Sequence, residues 1–150
     1  MHFFIPQFPT IYWKKEHFKW EIVFDESCKY NLLSEDQWDW NKLVGVKKNI
    51  NPRKSSARWV WRWNLDQQAI EIGAYIENNY VFEYKTMMFL QINKKAMLYL
   101  SLTDTECLFQ IDNGVVEIFP INVKSALLFK SFPYFGGNRS APHCMKLKIK

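Results

Sequence analysis

A chain of 150 residues, 48% hydrophobic and 23% charged, is long enough for one core and too short for two ordinary domains, so residues 1–150 read as a single domain. Only 5 Gly and 6 Pro stand beside 7 Trp, 7 Tyr and 12 Phe, which excludes a disordered linker, a low-complexity tract and a collagen-like repeat. The formal net charge of +5 favours acidic partners such as nucleic acid, an anionic surface or uronic-acid polysaccharide, and serves solubility equally well.

The opening MHFFIPQFPT has no basic n-region, Pro6 interrupts its apolar run, and no stretch approaches the roughly eighteen residues of a membrane helix. No membrane association is expected. The compartment stays open, because a cytoplasmic protein and an extracellular or periplasmic fragment stripped of its signal would read alike.

Period-two alternation then dominates the chain. In HFKWEIVFD, Phe18, Trp20, Ile22 and Phe24 share one side, as a half-buried antiparallel strand requires. SEDQ can form a short helix or turn in which Ser34 and Gln37 make a capping box. DQWDWNKLVGV alternates Trp38, Trp40, Lys42, Val44 and Val46, placing one ammonium among apolar side chains. Lys42 either snorkels to its sheet edge or reaches the ligand groove considered below. Residues 47–56 form one long basic loop.

The strand SARWVWRWN puts Trp59, Trp61 and Trp63 on one face and Arg58, Val60 and Arg62 on the other. The indoles fill a core; the arginines are either solvated or point into a groove where a guanidinium fork can bind an anionic or polyhydroxyl ligand. In AIEIGAYIE, Ile70, Ile72, Ala74 and Ile76 face inward, and Tyr75 can share the face of Arg58. A neighbouring guanidinium favours the phenolate, which would equip Tyr75 as a base; the alternative is a tyrosine covering a sheet. Glu71 and Glu77 share that face but lie about 20 Å apart along a strand, too far to flank one glycosidic bond.

Asp66-Gln67-Gln68, Asn78-Asn79, Thr103-Asp104 and Asp112-Asn113-Gly114 mark turns. In FPYFGGNRSAPH, Tyr134, Asn138, Arg139 and His143 either line a site mouth or belong to a turn bridging two sheets. The closing MKLKIK turns Met145, Leu147 and Ile149 inward and its lysines outward, the signature of a protected sheet edge. Spacing at about 8–12 residues per strand gives roughly ten to twelve strands and little helix: an all-β, antiparallel β-sandwich.

Cys28, Cys107 and Cys144 cannot all pair and lack C-x-x-C spacing, so they read as buried thiols, with one disulfide left open for an extracellular chain. His2, His17 and His143 are scattered, and no phosphate-cradling loop or metal motif is present. No cofactor or metal is expected. Nucleic-acid binding is disfavoured, since no RNP-type motif occurs and the tryptophans fall on the core face.

The order of these segments resembles the concanavalin-like jelly rolls, in particular the polysaccharide lyases acting on alginate and glucuronan. NKLVG is similar to that family's K-L-x-G strand, SARWVWR to S-x-R-x-x-W-R, IGAYI to Y-x-Y, and FPYFGGN to F-x-x-F-G-G. The chain also resembles short bacterial β-sandwich proteins sharing R-W-x-W-R-W and P-Y-F-G-G-N-x-x-A-P-H. The resemblance implies a jelly-roll sandwich. Carried over, the lyase roles would have Lys42 and Arg58 neutralise a uronate carboxylate, Ser56 orient substrate and Tyr75 abstract a proton in β-elimination. Gly73 departs from the pattern, standing where the family has its first tyrosine.

The reading taken is non-catalytic binding of a polysaccharide or oligosaccharide, including a uronate-containing one, on a concave sheet through Lys42, Ser56, Arg58, Arg62, Tyr75 and Asn138. A uronate lyase using Tyr75, Lys42 and Arg58 and a structural or protein-interaction sandwich are the alternatives. Oligomeric state is not readable.

Overall fold

Alternation with period two translates directly into strands. In a computed structural model that describes residues 10–136 and 139–150, the chain runs through β1 (Ile11–Trp13), β2 (His17–Phe24), β3 (Asn41–Lys47), β4 (Ser55–Asn64), β5 (Ala69–Asn78) and β6 (Val81–Leu90). It continues through β7 (Lys95–Leu102), β8 (Cys107–Ile111), β9 (Val116–Phe119), β10 (Leu127–Ser131) and β11 (Leu147–Ile149). Two 3₁₀ turns, Glu26–Cys28 and Glu35–Trp38, are the helical content among the described residues. None of the described helices is long and apolar enough to cross a membrane.

The strands form a six-stranded sheet, ordered β1-β10-β3-β4-β5-β6, and a five-stranded sheet, ordered β11-β2-β7-β8-β9, with every pairing antiparallel. This is the expected jelly-roll β-sandwich. Apolar residues from the inner faces meet between the sheets: Trp59 packs edge-on to Phe109 at 5.1 Å between ring centroids, and Trp61 lies 5.0 Å from Phe24. Trp59, Trp61 and Trp63 are all buried, as are Phe18, Trp20, Ile22 and Phe24. β11 lies at an edge with Leu147 and Ile149 against the core.

The turns fall at the marked residues. β5 and β6 are joined through Asn79 (φ 48°) and Tyr80 (φ 68°), and positive φ at both central positions is the two-residue hairpin geometry whose twist suits antiparallel strands. Asp112 (φ 49°) and Gly114 close the β8–β9 hairpin, where the Gly114 N–H donates to the Ile111 carbonyl at 3.0 Å.

Three local expectations are corrected. The capping box does not form: Gln37 is buried, its amide donates to the Tyr30 and Trp63 carbonyls at 3.2 and 3.0 Å, and its oxygen accepts from the Leu32 N–H at 2.9 Å. Buried carbonyls need donors, and that need outweighs the cap. Lys42 does not share a face with Val44 and Val46, because β3 bulges between Lys42 and Val44. The extra residue, Leu43, reverses the alternation, so Trp40 and Lys42 face outward while Leu43, Val44 and Val46 enter the core. Cys144 is exposed, whereas Cys28 and Cys107 are buried thiols that burial pushes up to about 11 and about 12.

Gly45 (φ +155°) sits opposite Arg58, and a Cβ there would strike the Ala57 carbonyl and come within 2.6 Å of the Arg58 Cα. Only glycine lets β3 and β4 close at this point. Gly45→Ala is expected to cost about 2–5 kcal/mol of folding stability, read from the urea midpoint at unchanged m-value.

Candidate ligand-binding face

The outer face of the six-stranded sheet carries the chemistry. Register sets Arg58 opposite Tyr75, Arg62 opposite Glu71 and Ser56 opposite Glu77 on β4 and β5. On β6 it sets Tyr84 beside Tyr75 and Phe82 beside Glu77, and the β3 bulge brings Lys42 beside Val60.

Both arginines are held by carboxylates. Arg58 is 1% exposed; its Nη2 bonds Glu77 Oε2 at 2.5 Å and its Nη1 donates to the Tyr134 hydroxyl at 3.0 Å. Arg53 reaches the other Glu77 oxygen at 3.3 Å. Arg62 grips Glu71 with both arms of its fork, at 2.7 and 3.0 Å, donates to the Trp38 carbonyl at 2.6 Å and stacks 4.1 Å from the Trp40 ring. Thr86 Oγ1 and Asn64 Nδ2 complete Glu71 at 2.6 and 2.9 Å. Burial alone would raise the Glu71 carboxyl, but these donors together hold it below its usual range.

Lys42 is different. Among the described residues it has no carboxylate within ion-pair distance; its ammonium donates to the Trp40 carbonyl at 3.1 Å and lies 4.2 Å from the centre of the Tyr75 ring. Burial, helped by the nearby Arg58 charge and opposed by Glu77 and Asp39, brings its pKa down to about 8. It opens onto a cavity of about 260 Å³ lined by the aromatic rings of Trp38, Trp40, Tyr75, Phe82 and Tyr84 and by Asp39, whose carboxylate lies beyond ion-pair distance of the ammonium. Phe82 stacks on Tyr75 at 5.6 Å and 8° and follows Tyr84 at 6.5 Å and 17°, so the rings make one broad platform. Phe82 is 55% exposed and Tyr84 49%. The volume lies just under the roughly 300–1,000 Å³ of drug-sized sites, which suits a ring-sized group.

Tyr75 does not become a ready base. Burial first and the Glu77 charge second raise its phenol to about 12, outweighing the Arg58 charge, which favours the phenolate. Above Gly73 the Trp40 indole takes the space: a Cβ on Gly73 would lie 3.0 Å from that ring and 3.1 Å from Val60.

Lys42, Arg58, Arg62 and Tyr75 therefore share one face, with Arg58 and Arg62 set into it as structural cations. Ser56 is fully buried, its hydroxyl has no partner among the described residues, and it lines no part of the cavity. Asn138 lies outside the described residues. Tyr134 joins the face by pairing its backbone with Lys42 at 2.9 and 3.1 Å, whereas Arg139 pairs with Asp36 at 2.6 Å and His143 bonds the Ser27 carbonyl at 2.6 Å. The Tyr134 segment is fixed by a buried chain: the Gly136 N–H donates to Asn41 Oδ1 at 2.7 Å, and Asn41 Nδ2 donates to the Tyr30 hydroxyl at 3.0 Å.

The sequence reading missed Phe82 and Tyr84, and the role of Trp38 and Trp40 as walls. The available signal was VFEYK, whose two aromatics alternate with two charges and follow the Asn78-Asn79 turn that fixes their register on Tyr75.

The sequence matches no protein-family profile and no curated protein. Among solved structures the chain is similar to the SPRY domain of human HERC1, with 16% identity over 93% of this chain and 77% of that one and a TM-score of 0.48. It is also similar to Xenopus laevis galectin-Ib, with 8% identity, coverage of 95% and 99% and a TM-score of 0.48. A toad ovary galectin in complex with thio-digalactose has 9% identity, coverage of 95% and 98% and a TM-score of 0.47.

The Glu71 cluster makes a pH-dependent prediction. A carboxyl held low in the folded state contributes stability in full above its unfolded value of about 4.3, and that contribution is lost as pH falls through the folded value. Glu71→Gln should cost about 3 kcal/mol near neutrality, and the gap from wild type should narrow on acidification. Urea unfolding across a pH series reads this; a gap constant with pH would reject it.

Proposed function

We propose that the outer face of the six-stranded sheet binds a polysaccharide or oligosaccharide without cleaving it. The observation that carries this reading is Lys42: a cation that, among the described residues, has no carboxylate within ion-pair distance, in a cavity lined by five aromatic rings and Asp39. Sugar rings present C–H faces that aromatic side chains cover well, and Phe82 and Tyr84 offer a broad, accessible platform for them. An ammonium beside that platform complements a carboxylate, which makes uronate-containing glycans the favoured ligand class.

The elimination reading is less well supported. A lyase needs a base for the proton next to the carboxylate, and a Tyr75 phenol near 12 keeps its own proton at neutral pH. Arg58 is committed to Glu77, so it has little charge to lend a developing enolate.

A glycan array that includes alginate and glucuronan fragments, probed with wild type and Lys42→Met, tests the binding. Uronate hits should weaken about 10- to 100-fold in the variant, the range for a charge-assisted hydrogen bond, while neutral-sugar hits persist. Uronate affinity should also fall as pH rises through about 8, where Lys42 loses its charge. The absence of any hit would reject the proposal, and unsaturated product absorbing in the ultraviolet would replace it with the lyase.

Stacking makes a separate prediction. Phe82→Ala should weaken every glycan hit by about 0.5–1.5 kcal/mol, with little change in Tm, because the ring is largely exposed. Unchanged affinity on the same array would remove the platform from the site.

A further inference from the structure

An antiparallel sandwich has four sheet edges, and three here are blunted. β1 and β11 are three residues long and flanked by lysines, and β9 has four residues and is followed by Pro120. The fourth edge, β6, is ten residues long and pairs only with β5 among the described residues. Its hairpin fixes which backbone groups lie free. In a two-residue hairpin the closing pair, Asn78 and Val81, exchanges both hydrogen bonds. Alternation then turns the N–H and C=O of Val81, Glu83 and Lys85 toward β5 and those of Phe82, Tyr84 and Thr86 outward. A bulge at Met87 ends this flat stretch.

The side chains on the stretch are self-complementary. Glu83 and Lys85 lie on the inner side of the edge, exposed, and neither has an ion-pair partner among the described residues. We propose that β6 pairs antiparallel with β6 of a second copy of this chain, about a two-fold axis at Tyr84. Phe82 then faces Thr86 of the second copy, Tyr84 faces Tyr84, and Glu83 faces Lys85 on both sides of the axis. The pairs Phe82–Thr86 and Tyr84–Tyr84 are those whose outward backbone groups meet.

Other registers of this strand against itself fail. An axis between residues sets inner side chains against outer ones. An axis at Glu83 opposes two carboxylates and one at Lys85 opposes two ammoniums, while an axis at Phe82 runs into the Asn79–Tyr80 turn and one at Thr86 into the bulge at Met87. The charges thus guard the edge against other strands and select this one, and the contact is isologous and closed. The pairing also sets two aromatic cavities side by side, a consequence that rests on the glycan reading; the pairing itself does not.

Sedimentation equilibrium of the full chain tests it. Wild type should have twice the monomer mass, and Glu83→Lys and Lys85→Glu should each sediment as monomers with unchanged circular dichroism. Mixing the two variants should restore the dimer, because each then offers the opposite charge at both positions, and the doubly exchanged variant should dimerise alone. Hydrogen exchange on wild type gives an independent readout, with slow amides at Phe82, Tyr84 and Thr86. A monomeric wild type at its highest soluble concentration, dimers persisting in both single variants, a mixture that stays monomeric, or fast exchange at those amides would each overturn the pairing. None of these outcomes bears on glycan binding, which the array reads separately.

Discussion

Two guanidinium groups lie on a strand that is packed on both sides, and that burial governs the composition of everything around them. β4 has indoles beneath it and, above it, the Trp40 side chain and the Tyr134 segment. A buried cation without a partner costs several kcal/mol, so each arginine must meet a carboxylate on an adjacent strand. Glu77 and Glu71 stand where the register requires them, diagonal to Arg58 and opposite Arg62. The two glutamates are separated along β5 because the two arginines are separated along β4; their spacing follows charge neutralisation, with no bond to flank. The face that results is charged in composition and nearly neutral in effect.

Against that neutral background a single displaced residue acquires weight. The bulge at Leu43 turns Lys42 outward after all the carboxylates of β5 are already engaged. The same reversal sends Trp40 over Gly73, where a larger residue would collide with it, so the bulge builds both the cation and one wall of its cavity. Polar side chains beneath the surface keep the bulge in place. Asn41 ties it to Tyr30 and Gly136, and Gln37 ties the preceding 3₁₀ turn to Trp63. Those amides do for the loop what ladder hydrogen bonds do for a strand.

The architecture was legible because strands with an apolar inner face and a polar outer one write a period of two into their residues, even where, as in β4 and β5, both faces are buried. β2, β4, β5 and β11 each carry it plainly, and turn residues with positive φ punctuate them. The site was legible only in part. Alternation places Arg58, Arg62 and Tyr75 on one face but does not reveal an inserted residue, so Lys42 read as an apolar-face anomaly until pairing exposed the bulge. It also does not reveal whether a charge is free, since that depends on the neighbouring strand's register. Tyr75 shows the consequence: Arg58 favours its phenolate, but burial and the Glu77 carboxylate that holds Arg58 outweigh that charge, and the phenol rises.

β6 reverses the rule that made the other strands readable. Over its first half the aromatic side chains of Phe82 and Tyr84 face outward, and the charges of Glu83 and Lys85 face the side where β5 buries Ala74 and Ile76; Met87 and Leu90 then return to the core. The reversal has a physical origin in how far the second sheet extends. Glu83 and Lys85 are exposed although Ile76 and Ala74 beside them on β5 are buried, whereas Met87 and Leu90 further along β6 enter the core, so the cover of the five-stranded sheet stops between β5 and β6 along the first half of β6. Past that line the inner side is wet and takes charge, while the outer side has the Tyr75 ring to pack on and takes aromatics. The aromatic platform and the charged sheet edge thus have one cause: a six-stranded sheet that overhangs a five-stranded one along the first half of its last strand.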